Sequence, residues 1–261
     1  GVQGPAWTAL ERAWLQHLQR ALGPAFRLHE GPQAFVLSSL EPALATATLG
    51  FMDRTLKRVL HLLAGIASTS DWGKDILVVF DSPDDYYRYI GQFYPDGGEF
   101  ALSAGMYINA GCGHFVTVKA DLAAIEPTIV HEMTHGCLGH LPLPAWLNEG
   151  LAVNTENRLS PGGPPLYSAR ELRAMHRAFW GDAEIQEFWS GRSFLRTDDG
   201  NQLSYDLAQI LVEQFCGNWD AFRAFVLEAD LDDAGAAAAS RHLGIDLGVA
   251  LAALLERPWT P

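Results

Sequence analysis

Residues 131–135 read His-Glu-Met-Thr-His. On a helix, positions i and i+4 share a face, so both imidazoles can reach one cation. Zinc–nitrogen bonds require an approach of roughly 2.0–2.1 Å. Glu132 is next to the first imidazole and cannot join it as a ligand from the same turn. It is placed to act as a general base, taking a proton from a water that the ion activates. The chemistry of such a cluster is hydrolysis. The same residues also have a plain structural reading, two satisfied core histidines on an amphipathic helix.

A hydrolytic zinc site needs a third protein ligand and an open fourth position. Downstream stands Trp146-Leu147-Asn148-Glu149-Gly150-Leu151-Ala152, and Glu149 falls 14 positions after His135. The loop Gly139-His140-Leu141-Pro142-Leu143-Pro144 allows the chain to reverse between two helices. One Zn²⁺ held by His131, His135 and Glu149 is the expected metal site. A shell using His140 belongs to a pattern with glycine three and histidine six positions after the second ligand. Leu138 and Leu141 stand there instead.

HEMTH followed by WLNEGLA resembles the paired motifs of the gluzincin metallopeptidases, most closely the aminopeptidase-like "peptidase MA" group. Leu203-Ser204-Tyr205-Asp206-Leu207-Ala208 resembles that group's SYxxxA stretch. The resemblance is strong over 128–154 and faint near 205. It is weak at 104–109, where the family keeps a substrate-binding edge strand. It implies a zinc-dependent peptidase acting on a peptide or protein substrate. Glu132 would be the catalytic base, and the hydroxyl of Tyr205 would stabilise the developing oxyanion. Tyr167 and His176 are reserve donors for that role. Exopeptidase members carry a glutamate in the upstream segment, whereas this stretch has no acid and Glu99 is the nearest. Endo- and aminopeptidase specificity therefore both stay open. The alternative is a catalytically silent zincin-like binding protein, against which the intact Glu132 counts.

The elements that must position these residues are legible from periodicity. Trp7, Leu10, Trp14, Leu18 and Leu22 recur at helical spacing, and Gly23-Pro24 ends that helix. Strands are expected at 33–39, 76–80, 100–109 and 114–119, with a long helix opening at Pro42 and another at Ser82-Pro83. Helices follow at roughly 127–139, 145–156, 168–180, 201–216, 219–229 and 236–255, with Pro127 in the first turn of the metal helix and a loop at 160–165. Asp198-Asp199-Gly200-Asn201 lacks the spacing of a calcium loop and reads as a turn with a helix cap. The fold class expected is α+β and zincin-like: an N-terminal mixed β-sheet lobe over the HExxH helix, and a helical C-terminal lobe. The domain expectation is an N-terminal helix over 1–23, an α/β lobe over 24–139 and a helical lobe over 140–261, together one peptidase unit. Substrate backbone would pair with a sheet edge near 104–109 or 114–119.

Composition narrows the partners. The formal net charge of −13, with 18 Lys and Arg forming no block, argues against nucleic acid, because phosphate contacts need clustered cations. No apolar run reaches the roughly 18–20 residues of a membrane span, so no membrane association is expected. Cys112, Cys137 and Cys216 are an odd, small set without a CxxC pair, which indicates free thiols rather than a disulfide framework. Free thiols, and a start (Gly1-Val2-Gln3-Gly4-Pro5) without the features of a signal peptide, point to the cytoplasm. A removed signal would instead fit a secreted or periplasmic protein. Oligomeric state is not encoded in any of these features.

Overall fold

The computed structural model describes residues 3–69, 73–93, 105–161 and 167–257. Phe100 to Ala104, Glu99 and most of the 160–165 loop lie outside the described residues. The architecture is α+β. The chain divides into two compact units, Gly1–Leu138 with Thr155–Pro161, and Gly139–Asn154 with Gly162–Pro261.

The first unit is built on a mixed five-stranded sheet. Helix α1 (Gln3–Leu22) leads into β1 (Arg27–Glu30) and β2 (Ala34–Ser38), and α2 (Pro42–Leu62) crosses to β3 (Asp75–Phe80). Helix α3 (Pro83–Ile90) precedes β4 (Gly105–Ile108), β5 (His114–Val118) and α4 (Leu122–Leu138). The order is β1-β2-β3-β5-β4, with β2, β3 and β5 parallel and the outer pairs antiparallel. Strand β5 is paired on both sides, so 114–119 offers no free edge; β4 has one partner among the described residues. The uninterrupted run Ile76-Leu77-Val78-Val79-Phe80 has no polar alternation because both sheet faces are covered. One face (Phe35, Leu37, Ile76, Val78, Phe80, Val116) forms a core with Leu15 of α1 and Tyr86, Tyr89 and Ile90 of α3. The other meets α2 and α4, which also pack on each other. Glycine is needed where these layers touch: a Cβ on Gly105 would lie 2.4 Å from Thr128 Cγ2 of α4.

The second unit is helical. It holds the first ten residues of α5 (Ala145–Leu159), then α6 (Ala169–Phe179), α7 (Asp182–Trp189), a 3₁₀ turn at Arg192–Leu195, α8 (Asp199–Phe215) and α9 (Trp219–Glu228). Trp146 anchors it, fully buried, with its indole N–H donating to Ala234 O at 2.9 Å. Phe188, Trp189, Phe215 and Phe225 ring it at centroid distances of 5.6–6.4 Å.

The Ser168–Glu171 capping box and the Asp198 cap form as expected. Other expectations need correcting. The metal helix starts at Leu122, so Pro127 lies inside it rather than in its first turn, leaving the carbonyl of Ala123 without its usual backbone donor. The helix expected over 236–255 is broken: Gly244 takes φ +67, and a new helix opens at Leu247 with Asp246 as its cap. Alanine and leucine on both sides hide that break. Strand β1 was not expected, being only four residues, Arg-Leu-His-Glu. Nor was α7, two turns long. No single helix among the described residues is long and apolar enough to cross a membrane; Ala236–Leu243 and Leu247–Leu254 pass that test only together and meet at 88°.

Asp75 carries a pH dependence for this fold. Burial first, then the charges of Glu11 and Asp53, push its carboxyl up to about 7. Asp53 Oδ1 is itself buried without a hydrogen-bond partner. A carboxyl raised in the folded state contributes stability that is complete below its unfolded value of about 3.9 and is lost as pH rises through about 7. Asp75→Asn should therefore melt several degrees above the parent at pH 8, with the gap closing towards pH 5. Thermal melts at both pH values check this, and a pH-independent gap would contradict it.

Candidate metal centre

Helix α4 has one side to bury and one to present. Ile125, Ile129, Val130, Met133 and Cys137 are buried. The Thr134 hydroxyl turns back to Val130 O, and Ser68 N–H closes the last turn on Cys137 O at 3.0 Å. A helix so held presents His131 and His135 one turn apart, both half-buried, with ring centroids 4.8 Å apart and planes at 76°. Glu132 between them is 8% exposed.

Glu149 on α5 completes the group. One ligand atom each from His131, His135 and Glu149 lies within 4.8 Å of the other two. Donors around a tetrahedral ion with roughly 2.0–2.1 Å bonds stand about 3.4 Å apart. Modest side-chain rotation closes such a difference. Two imidazoles and a carboxylate suit a first-row divalent ion, zinc among them. Among the described residues no other set of three His, Cys, Asp or Glu side chains converges in this way. His140 is exposed and does not join the group.

The sequence reading missed Glu156. Its Oε2 lies 3.0 Å from His131 Nδ1. A carboxylate acceptor keeps the proton on Nδ1 and so presents Nε2 to an ion in the basic, metal-binding tautomer. Glu156 follows Glu149 by two helical turns and so shares its face of α5. That seven-residue repeat of glutamates was the signal available in the sequence. The C-terminal end of α5 is tied down in the same unit by Arg58, whose guanidinium donates to Leu159 O at 3.1 Å.

The neighbours of Glu149 explain the rest of its motif. A Cβ on Gly150 would lie 2.5 Å from Ala208 O, so only glycine permits this approach of α5 to α8. Asn154 adds a hydrogen bond to Gln209 O at 3.0 Å. The two fragments NEGLA and SYDLA therefore meet as packed backbones. Tyr205 lies one turn before Ala208, half-buried, with its ring edge-on to Phe194 at 5.2 Å.

His176 is committed elsewhere. The indole of Trp180 donates to its Nδ1 at 2.8 Å, which forces the ring proton onto Nε2, where Asp206 accepts it at 2.6 Å. Both ring nitrogens are used, so a neutral His176 has no N–H to offer an oxyanion. Cys137 is buried and its thiol is pushed up to about 12, mainly by burial, which makes it inert packing.

No protein-family model and no curated protein matches the chain.

Removing the Glu156 carboxylate should weaken metal binding without touching a ligand. Glu156→Leu is expected to lower zinc affinity about 10- to 100-fold, with Glu156→Gln losing less because its amide oxygen can still accept. Competition against a chromophoric chelator measures this, and affinity equal to the parent in both variants would remove Glu156 from the site.

Proposed function

We propose that the chain is a zinc-dependent peptidase of gluzincin type, with a zincin-like arrangement of sheet and metal helix. The observation that carries the reading is the convergence of His131, His135 and Glu149 with Glu132 one residue from the first ligand. The His131–Glu156 contact supports it, because a metal-ligating imidazole commonly donates its other ring N–H to a carboxylate.

Zinc, when bound, supplies Lewis acidity and makes a water acidic enough to lose a proton near neutral pH. Glu132 accepts that proton and passes it to the leaving amine. Its burial leaves it little competing solvent. Tyr205 is the donor we assign to the oxyanion. Strand β4 is the edge on which an extended substrate adds as a further antiparallel strand, its backbone groups supplying affinity without regard to side chain.

Glu132→Gln is expected to retain zinc at the parent stoichiometry while peptide hydrolysis falls by about 10²–10⁴-fold. His135→Ala or Glu149→Ala should lose zinc as well as turnover. Metal analysis beside a peptide-library digest separates the two. Full hydrolysis by Glu132→Gln would refute the base assignment, and bound zinc with no cleavage of any peptide by the parent would favour a silent binding protein.

A further inference from the structure

We propose that the exposed face of α6 is a docking surface for an acidic peptide segment, a role separate from the metal centre. Arg170, Arg173 and Arg177 line one side of this helix with Ala174 and Ala178 between them, and these five residues bound a shallow groove of about 630 Å³. All five are exposed. The spacing i, i+3, i+7 puts the three guanidinium groups along one stripe, and the two alanines at i, i+4 make a low floor between them.

The stripe gathers three of the chain's arginines on one helix face. Acids outnumber lysine and arginine by 31 to 18, so an arginine has an abundance of carboxylates to pair with. Several arginines elsewhere do so, as Arg12 with Glu30, Arg196 with Glu187 and Asp198, and Arg257 with Asp182 illustrate. Arg170 and Arg173 have no such partner among the described residues. Arg177 has one: Glu256 Oε2 lies 3.0 Å from its Nη1, with both side chains about half exposed. A carboxylate thus already sits at one end of the stripe, in the manner a partner's carboxylates would occupy the rest. The helix is pre-organised for this by its Ser168–Glu171 capping box, so little order has to be gained on binding.

The occupant follows from the scale of the patch. Three arginines spread over about two helical turns, roughly 10 Å, match two or three carboxylates of a short peptide, each able to take a bidentate guanidinium. A nucleic acid or an anionic membrane presents charge over a far longer range and would meet the repulsion of a molecule of net charge −13. A short acidic segment meets the local field only. The alanine floor leaves room for backbone rather than for a large side chain.

Fluorescence anisotropy with a fluorescein-labelled Glu/Ala octapeptide tests the proposal on the full chain. The Glu132→Gln background keeps the probe intact, and because binding is read directly, the outcome does not depend on the peptidase reading. The octapeptide is expected to bind at about 50 mM salt and to weaken at about 300 mM. Arg170→Glu with Arg173→Glu should lower affinity at least about tenfold, and Arg170→Gln with Arg173→Gln should fall between. Ala174→Glu keeps every arginine but sets a carboxylate between them, and should block the probe as strongly. This second design reads the site even if the double reversal fails to fold. Binding unchanged in all three variants would overturn the proposal. So would a duplex DNA or a phosphatidylserine vesicle that binds more tightly than the octapeptide through the same arginines.

Discussion

Helix α4 has to pack into the core and present two imidazoles at once, and the remaining features of the candidate site depend on how that conflict is met. Its buried side is held by the sheet and by α2, and its last turn is closed by Ser68. With that side immobilised, the 3.6-residue period alone sends His131 and His135 to a common face. Two imidazoles left half-buried without a further partner would be a poor use of that face. Glu149 and Glu156, two turns apart on α5, supply carboxylates at different nitrogens of the cluster: one converges on both rings, the other engages His131 Nδ1.

Helix α5 matters as much as α4 because its fifteen residues carry contacts of several kinds. Trp146 is locked by the indole bond to Ala234, Gly150 allows a backbone approach to α8 that no larger residue would allow, and Asn154 bonds across to Gln209. Its final turn is held by Arg58. The run WLNEGLA is therefore a packing motif that also carries the candidate ligand Glu149. Glycine beside the ligand reflects the closeness of α8, and tryptophan three residues before it reflects an aromatic core. Contacts of this kind fix the backbone of α5 around Glu149.

Polar groups in this protein divide by how they are compensated. His176 and His114 are buried with both ring nitrogens satisfied, the first by Trp180 and Asp206, the second by Tyr89 and the carbonyl of Cys112. Both are structural. Asp75 is half-buried with Glu11 and Asp53 near, and its raised carboxyl makes the fold sensitive to pH. The arginines of α6 are the reverse case, exposed charges in a chain rich in partners that mostly go elsewhere.

The sequence alone determined the elements whose signal is local. The HEMTH spacing, the capping box at Ser168, the cap at Asp198 and the buried run at 76–80 depend on neighbours within a few residues, and each formed where its pattern stands. The convergence of Glu149 with the two histidines was also legible, because a ligand spacing on predicted helices carries its own geometry. What lay beyond reach was decided by contacts distant in the chain. Pro127 sits inside α4, because local propensity does not say how far a helix continues once packing holds it. Among the described residues strand β5 is interior and β4 is at the edge, since strand order is a property of pairing and not of any one strand. Glu156 became part of the site, and His176 left the set of oxyanion donors, for the same reason: a side chain's role is set by the atoms placed against it, and those atoms come from helices that only the tertiary fold brings near.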